Sequence, residues 1–177
     1  MKILFRMDAG PDVGLGHLNR SIAIARRLKK NYSETDICFL TNENQFSTDL
    51  LSQNGFQYIL QEKKSEETSI TDAVKNIHTD VLFIDKLFPY RPAFIREIRK
   101  HTRVCMFHNL CDGAFECNQF ILPASHINDK VLQDKRWTTG KVKLFEGFPY
   151  IVLNDKILTL KRKSNINTHP MHIVLTT

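Results

Sequence analysis

The chain has 177 residues, 42% of them hydrophobic and 25% charged, with a net charge of +6. Those proportions exclude a disordered or fibrous polypeptide and supply enough apolar material for one domain with a sizeable core. No apolar run approaches the ~20 residues of a membrane span, and the opening "MKILFRMDAG" is too briefly apolar for a secretory signal, so a cytoplasmic chain is expected.

Short apolar runs alternate with helical stretches. "KILFRM" (2–7) predicts a buried strand, and "HLNRSIAIARRLKK" (17–30) a helix with Leu18, Ile22, Ala25 and Leu28 on one stripe. A strand follows over 36–41, then a helix over 45–55 closed by Gly55. The stretch 56–60 predicts a strand. The stretch 69–79 predicts a helix opened by a box-like Ser69 and Asp72, with Ile70, Ala73, Val74 and Ile77 facing inward. A strand over 80–85 leads to a helix over 92–101 with Pro92 in its first turn. Further strands are expected over 103–108, 118–123 and 141–147. Residues 1–160 therefore read as one domain, 161–170 as a linker, and 171–177 as the first strand of a truncated second domain.

Strand–helix alternation with near-continuous apolar strands predicts an α/β, Rossmann-like parallel sheet covered by helices on both faces. Ligands of such sheets sit beyond the carboxyl ends of the strands. The segments expected on that rim are Asp8 to His17, Asn42 to Asn44, Asp85 to Phe88 and His108 to Asp112.

Cys38, Cys105, Cys111 and Cys117 are expected as free thiols in a reducing compartment. The spacing of His108, Cys111 and Cys117 fits no standard zinc pattern, so neither metal nor cofactor is expected. The basic runs 26–30 and 161–163 lack interleaved aromatics, which argues against nucleic acid. The positive excess suits an anionic small substrate or an anionic membrane surface.

The loop "MDAGPDVGLGHLNR" (7–20) joins the first strand to the first helix. It lacks the lysine of a Walker loop, and Asn19 stands where a dinucleotide fingerprint needs its third glycine. What remains is Gly14-x-Gly16-His17 at a helix start. The two glycines permit a sharp turn and close approach of a ligand. His17 in the first helical turn lies beside unpaired backbone N–H groups and the positive end of the helix dipole. A neutral imidazole there is suited to accept a proton. Capping or packing of the helix start is the competing structural role.

The string Arg6-x-Asp8 … Gly14-x-Gly16-His17-x-x-Arg20 resembles the opening of the pseudaminic-acid pathway UDP-sugar hydrolases. Those enzymes are similar to spore-coat and surface-polysaccharide biosynthesis proteins. They share a two-domain GT-B-like architecture with the peptidoglycan N-acetylglucosaminyltransferase. The likeness continues through "VLFIDK" (81–86), "VCMFHN" (104–109) and "FEGFPYIVLNDKIL" (145–158). It implies the N-terminal half of that architecture. His17 would be the general base that activates water against the anomeric carbon of a UDP-linked diacetamido sugar, releasing UDP with inversion. Gly14 and Gly16 would shape the sugar pocket. Asp8 would orient His17 or bind a sugar hydroxyl, or cap the helix. Arg20 would meet Asp8 or a phosphate, or form a plain surface ion pair. Asp85 and Asn109 would contact substrate from the neighbouring loops. The diphosphate would be held by the second domain, leaving this chain alone inactive.

The sequence departs from those hydrolases in one place. They carry a tyrosine two residues after the aspartate matching Asp85, where this chain has Leu87, preceded by Lys86 in place of histidine. Two alternatives therefore stand beside hydrolysis. One is a glycosyltransferase in which His17 deprotonates an acceptor hydroxyl, with "LFPY" (87–90) as an acceptor or membrane-facing patch. The other is a domain that binds a sugar nucleotide without turnover.

Overall fold

The computed structural model describes residues 1–123, 132–153 and 155–159. The elements run β1 (Lys2–Met7), α1 (Gly16–Asn31), β2 (Asp36–Thr41), α2 (Gln45–Gln53), β3 (Gln57–Leu60), α3 (Glu66–Ile77), β4 (Val81–Asp85), α4 (Pro92–Ile98) and β5 (Arg103–Phe107). Then come β6 (Gln119–Leu122), α5 (Arg136–Thr139), β7 (Lys143–Glu146) and α6 (Asp155–Leu158). The described residues form one seven-stranded sheet in the order β3-β2-β1-β4-β5-β6-β7, every neighbouring pair parallel. The expected Rossmann-like architecture is present. The proposed linker and the segment 171–177 lie outside the described residues.

Strand alternation divides the interior in two. On one face Leu4, Leu40, Leu82, Ile84, Val104 and Met106 pack under α3 and α4. On the other, Ile3, Phe5, Phe39, Phe83 and Phe107 pack under α1 and α2. Phe5 lies with its ring centroid 5.1 Å from that of Phe39 and 5.0 Å from that of Phe83, forming an aromatic row across three strands. The strands are apolar on both faces because both are covered, which is why alternation is weak in their sequence. Arg6 is the exception. It is fully buried in β1, on the face shared by Leu4.

Several boundaries differ from the sequence expectation. Helix α3 begins at Glu66, three residues before Ser69. Its N-cap is Ser65, whose hydroxyl accepts from the Thr68 N–H at 3.2 Å. Ser69 lies inside the helix and donates back to the Ser65 carbonyl. Two acids, Glu66 and Glu67, occupy the first turn, where the helix dipole favours them. Helix α4 stops at Ile98, short of the expected 101, and α2 stops at Gln53.

The strand order reverses direction between β1 and β4. Chain leaving β1 goes to β2 on one side, and β4 occupies the other. A crevice opens at such a switch point, beyond the carboxyl ends of the two strands. Met7 and Asp85, the last residues of β1 and β4, are direct neighbours there. Among the described residues, no helix is long and apolar enough to cross a membrane. All four cysteines are free thiols, and burial pushes Cys105 up to about 12.

Candidate active site

Beyond Met7 the chain reaches α1 through a compact loop. Gly10 and Gly14 face each other across it, Gly14 N–H donating to the Gly10 carbonyl at 2.8 Å and Gly10 N–H to the Gly14 carbonyl at 3.3 Å. Gly14 has φ of +70°, a conformation in which an L side chain is strained. Gly16, the first residue of α1, is different: a Cβ there would meet nothing within 4 Å. The turn demands glycine at 14, while no neighbour in the chain demands it at 16.

His17 follows in the first turn of α1. Its Nδ1 lies 2.7 Å from Asp85 Oδ1. An ionised carboxylate only accepts, so this contact assigns the ring proton to Nδ1 and leaves Nε2 as the unprotonated nitrogen. The imidazole keeps 19% of its surface exposed, whereas the Asp85 side chain keeps 1%. The ring is therefore supported from below and open above.

Asp85 is itself tightly held. Arg20, one turn after His17, donates from Nε to Oδ2 at 2.7 Å and from Nη2 to Oδ1 at 2.6 Å. Ser21 Oγ lies 3.3 Å from Oδ2. The Arg20 guanidinium carbon sits 4.5 Å from the Phe107 ring centroid, so the end of β5 supports it from the opposite side. His17, Arg20 and Asp85, separated by up to 68 residues in sequence, form one cluster.

A second polar cluster occupies the other side of the same rim. Arg6 reaches Glu66 through Nε (2.8 Å) and Nη2 (2.7 Å), and Gln61 Oε1 at 2.6 Å. It also pairs with Asp8 and donates to the Met7 and Leu40 carbonyls. Lys86 Nζ bridges Asp8 (2.6 Å) and Glu66 (2.8 Å), and the Tyr90 hydroxyl donates to Glu66 at 2.6 Å. Two cations face two carboxylates, and the fork geometry of Arg6 suits both. Burial alone would raise the Asp8 and Glu66 carboxyls, but the adjoining Arg6 and Lys86 outweigh it and hold both below their ordinary range. Burial, together with the Glu66 charge, pushes the Tyr90 hydroxyl well above its usual value.

Three expectations need correction. Asp8 does not orient His17 and caps no helix; Asp85 is the carboxylate on the imidazole. Strand alternation explains this: Asp8 follows Arg6 to the α3–α4 side, whereas Asp85 shares the α1 side with Phe83. Arg20 accordingly pairs with Asp85 and not with Asp8. Asn109 is buried, and its amide donates to the Lys86 and Phe88 carbonyls at 2.9 and 2.7 Å, so it pins the loop after β4. Tyr90 is buried in the second cluster, and Leu87 is 69% exposed.

The expected rim segment Asp85 to Phe88 included Lys86, but nothing in the sequence reading placed Glu66, Gln61 or Tyr90 beside it. A signal was available in one case. An arginine inside an otherwise apolar strand requires buried acceptors, so Arg6 in "KILFRM" announced carboxylates packed against it. Nothing local said which ones, since Glu66 lies 60 residues away.

No family model matches the chain. It is 25% identical over 164 residues to the uncharacterized protein MJ1062 of Methanocaldococcus jannaschii, covering 92% of this chain and 33% of that protein. The chain thus spans about a third of that relative's length. Among solved structures it is similar to MurG of Acinetobacter baumannii, with a TM-score of 0.52 and 12% identity, covering 72% of this chain and 43% of MurG. It is similar as well to HepE of Anabaena, solved with UDP and glucose, at a TM-score of 0.53 and 14% identity over 82% of this chain and 44% of HepE. A glycosyltransferase of Rickettsia africae gives a TM-score of 0.53 at 10% identity, over 82% of this chain and 42% of the other. The fold is that of the N-terminal half of a GT-B glycosyltransferase. These GT-B likenesses support the coarse architecture read from the glycine loop. They do not support the pseudaminic-acid or spore-coat assignment, nor hydrolysis in particular.

Proposed function

We propose that this GT-B half-domain is the base-bearing part of an enzyme that transfers a sugar from a UDP-sugar to a hydroxyl acceptor. His17 Nε2 takes the proton of the attacking hydroxyl as its oxygen bonds to the anomeric carbon. The bond from that carbon to the diphosphate oxygen breaks, and UDP leaves. Asp85 orients the ring and stabilises the imidazolium that forms. The open space beside Gly16 admits the sugar close to the backbone, and the left-handed turn at Gly14 brings the chain round to it. A second domain grips the diphosphate in this reading.

The observation that carries the proposal is the commitment of Nδ1 to a buried carboxylate in an imidazole that keeps 19% of its surface exposed at the switch point. The glycosyltransferase likenesses, one of them to a protein solved with UDP and glucose, favour a hydroxyl acceptor over water.

The test is UDP release from UDP-glucose and UDP-N-acetylglucosamine by the natural gene product, with the sugar followed by mass spectrometry. His17→Ala is expected to lower kcat by about 10²- to 10⁴-fold, the usual contribution of a positioned base. Full activity in that variant overturns the assignment. Sugar appearing as a glycoside supports transfer; free sugar in the presence of acceptors reverts the reading to hydrolysis. Tight binding of UDP-sugar with no UDP released leaves a binding domain.

A further inference from the structure

We infer that Arg20 is a positioning residue that acts through Asp85 to fix the tautomer of His17. The inference rests on the reading of His17 as the base. It is carried by the way Arg20 is built into the rim. Its fork meets both oxygens of Asp85, at 2.7 and 2.6 Å, which fixes the plane of the carboxylate as well as its place. Oδ1 then meets His17 Nδ1 along one line, at 2.7 Å.

Two supports keep Arg20 itself from turning. The i, i+3 spacing puts it beside His17 on α1, with Nη2 3.1 Å from Nδ1, a meeting of two donors that leaves Asp85 as the partner of both. Phe107 lies under the guanidinium, and Asp85 lies in front of it. Nη2 carries only hydrogens, so it cannot accept a proton from Nδ1, and Asp85 Oδ1 is the acceptor that remains. The same arginine therefore directs the Nδ1 proton toward Asp85 and leaves Nε2 as the accepting atom.

A merely structural role, neutralising a buried carboxylate, would be met equally well by lysine. Lysine keeps the charge but has no fork and does not stack. Arg20→Lys in the isolated, 15N-labelled chain separates the two. The readout is the pair of His17 ring nitrogens, identified among the seven histidines by their loss in His17→Gln. In the unaltered chain at neutral pH the proton is expected on Nδ1. Arg20→Lys is expected to give averaged nitrogen shifts, as both tautomers become populated. A superimposable His17 spectrum overturns the inference.

A wild-type ring with its proton on Nε2 instead overturns the reading of His17 as base, so the two failures are distinct. In the natural gene product, Arg20→Lys is expected to lower kcat by about 10- to 100-fold, with KM changed less than about twofold, the signature of a misaimed group. A raised KM at normal kcat would make Arg20 a substrate contact and overturn the inference. Should Arg20→Lys fail to fold, Phe107→Leu loosens the same guanidinium without removing it. Averaged shifts support the inference there, and an unchanged spectrum overturns it.

Discussion

At the level of single residues, the buried charges around Arg6 dominate. Arg6 has no exposed surface and faces two carboxylates. Arg6→Met leaves Asp8 and Glu66 sharing only Lys86, an excess of one buried negative charge, and should destabilise the fold by about 3–5 kcal/mol in urea titration. The double change Arg6→Met with Glu66→Gln leaves Lys86 paired with Asp8 and retains an acceptor for Tyr90. It should cost less than the single change, an ordering that additivity would not give. Acid probes the same group. Asp8 and Glu66 are depressed below their ordinary 3.8 and 4.5 in the fold, so the unfolded chain binds more protons as pH falls. Their contribution is complete above those values and is lost as pH drops through the folded ones. The urea midpoint should hold steady from pH 7 to 5 and fall below about pH 4, and Glu66→Gln should flatten that fall.

At the level of elements, the loop before α1 and the start of α3 offer separable tests. Gly14→Ala forces a side chain into a left-handed turn and should cost about 1–2 kcal/mol of stability. Gly16→Ala meets nothing in the chain and should leave the unfolding midpoint unchanged or slightly raised. Loss of UDP release in Gly16→Ala alone would locate the sugar beside it. Removing the α3 cap with Ser65→Ala should cost about 1 kcal/mol, read by thermal unfolding. The strands and helix stripes were legible because burial on both sheet faces writes apolar runs directly into the sequence. The start of α3 was not. Its stripe begins at Ile70, and the turn before it carries Glu66, an acid that reads as solvated until Arg6 is known to lie against it. The placement of His17 in the first turn of α1 was legible from the glycines before it. The carboxylate that meets its Nδ1 was not, because Asp8 is near in sequence and Asp85 only near in space.

At the level of the whole molecule, one sheet serves both interiors, so neither should melt alone. The single tryptophan, Trp137 on α5, packs against Phe115 and Phe120 at the β6 end of the sheet, far from α1. Its fluorescence and the far-ultraviolet circular dichroism should therefore trace the same urea transition. Divergent curves would mean that the two ends unfold independently. The alternation of elements made the parallel sheet legible, but not the strand order, and it is the order that sets β4 beside β1 and closes Asp85 on His17. The loop after β4 is anchored twice, by the Asn109 amide beneath its carbonyls and by Tyr90 on Glu66, while Leu87 between those anchors points into solvent. Leu87 is thus a free tuning position: its side chain can be exchanged at almost no penalty to folding, so a library randomised there would ask, on the transferase reading proposed above, whether this outward point of the rim meets an acceptor.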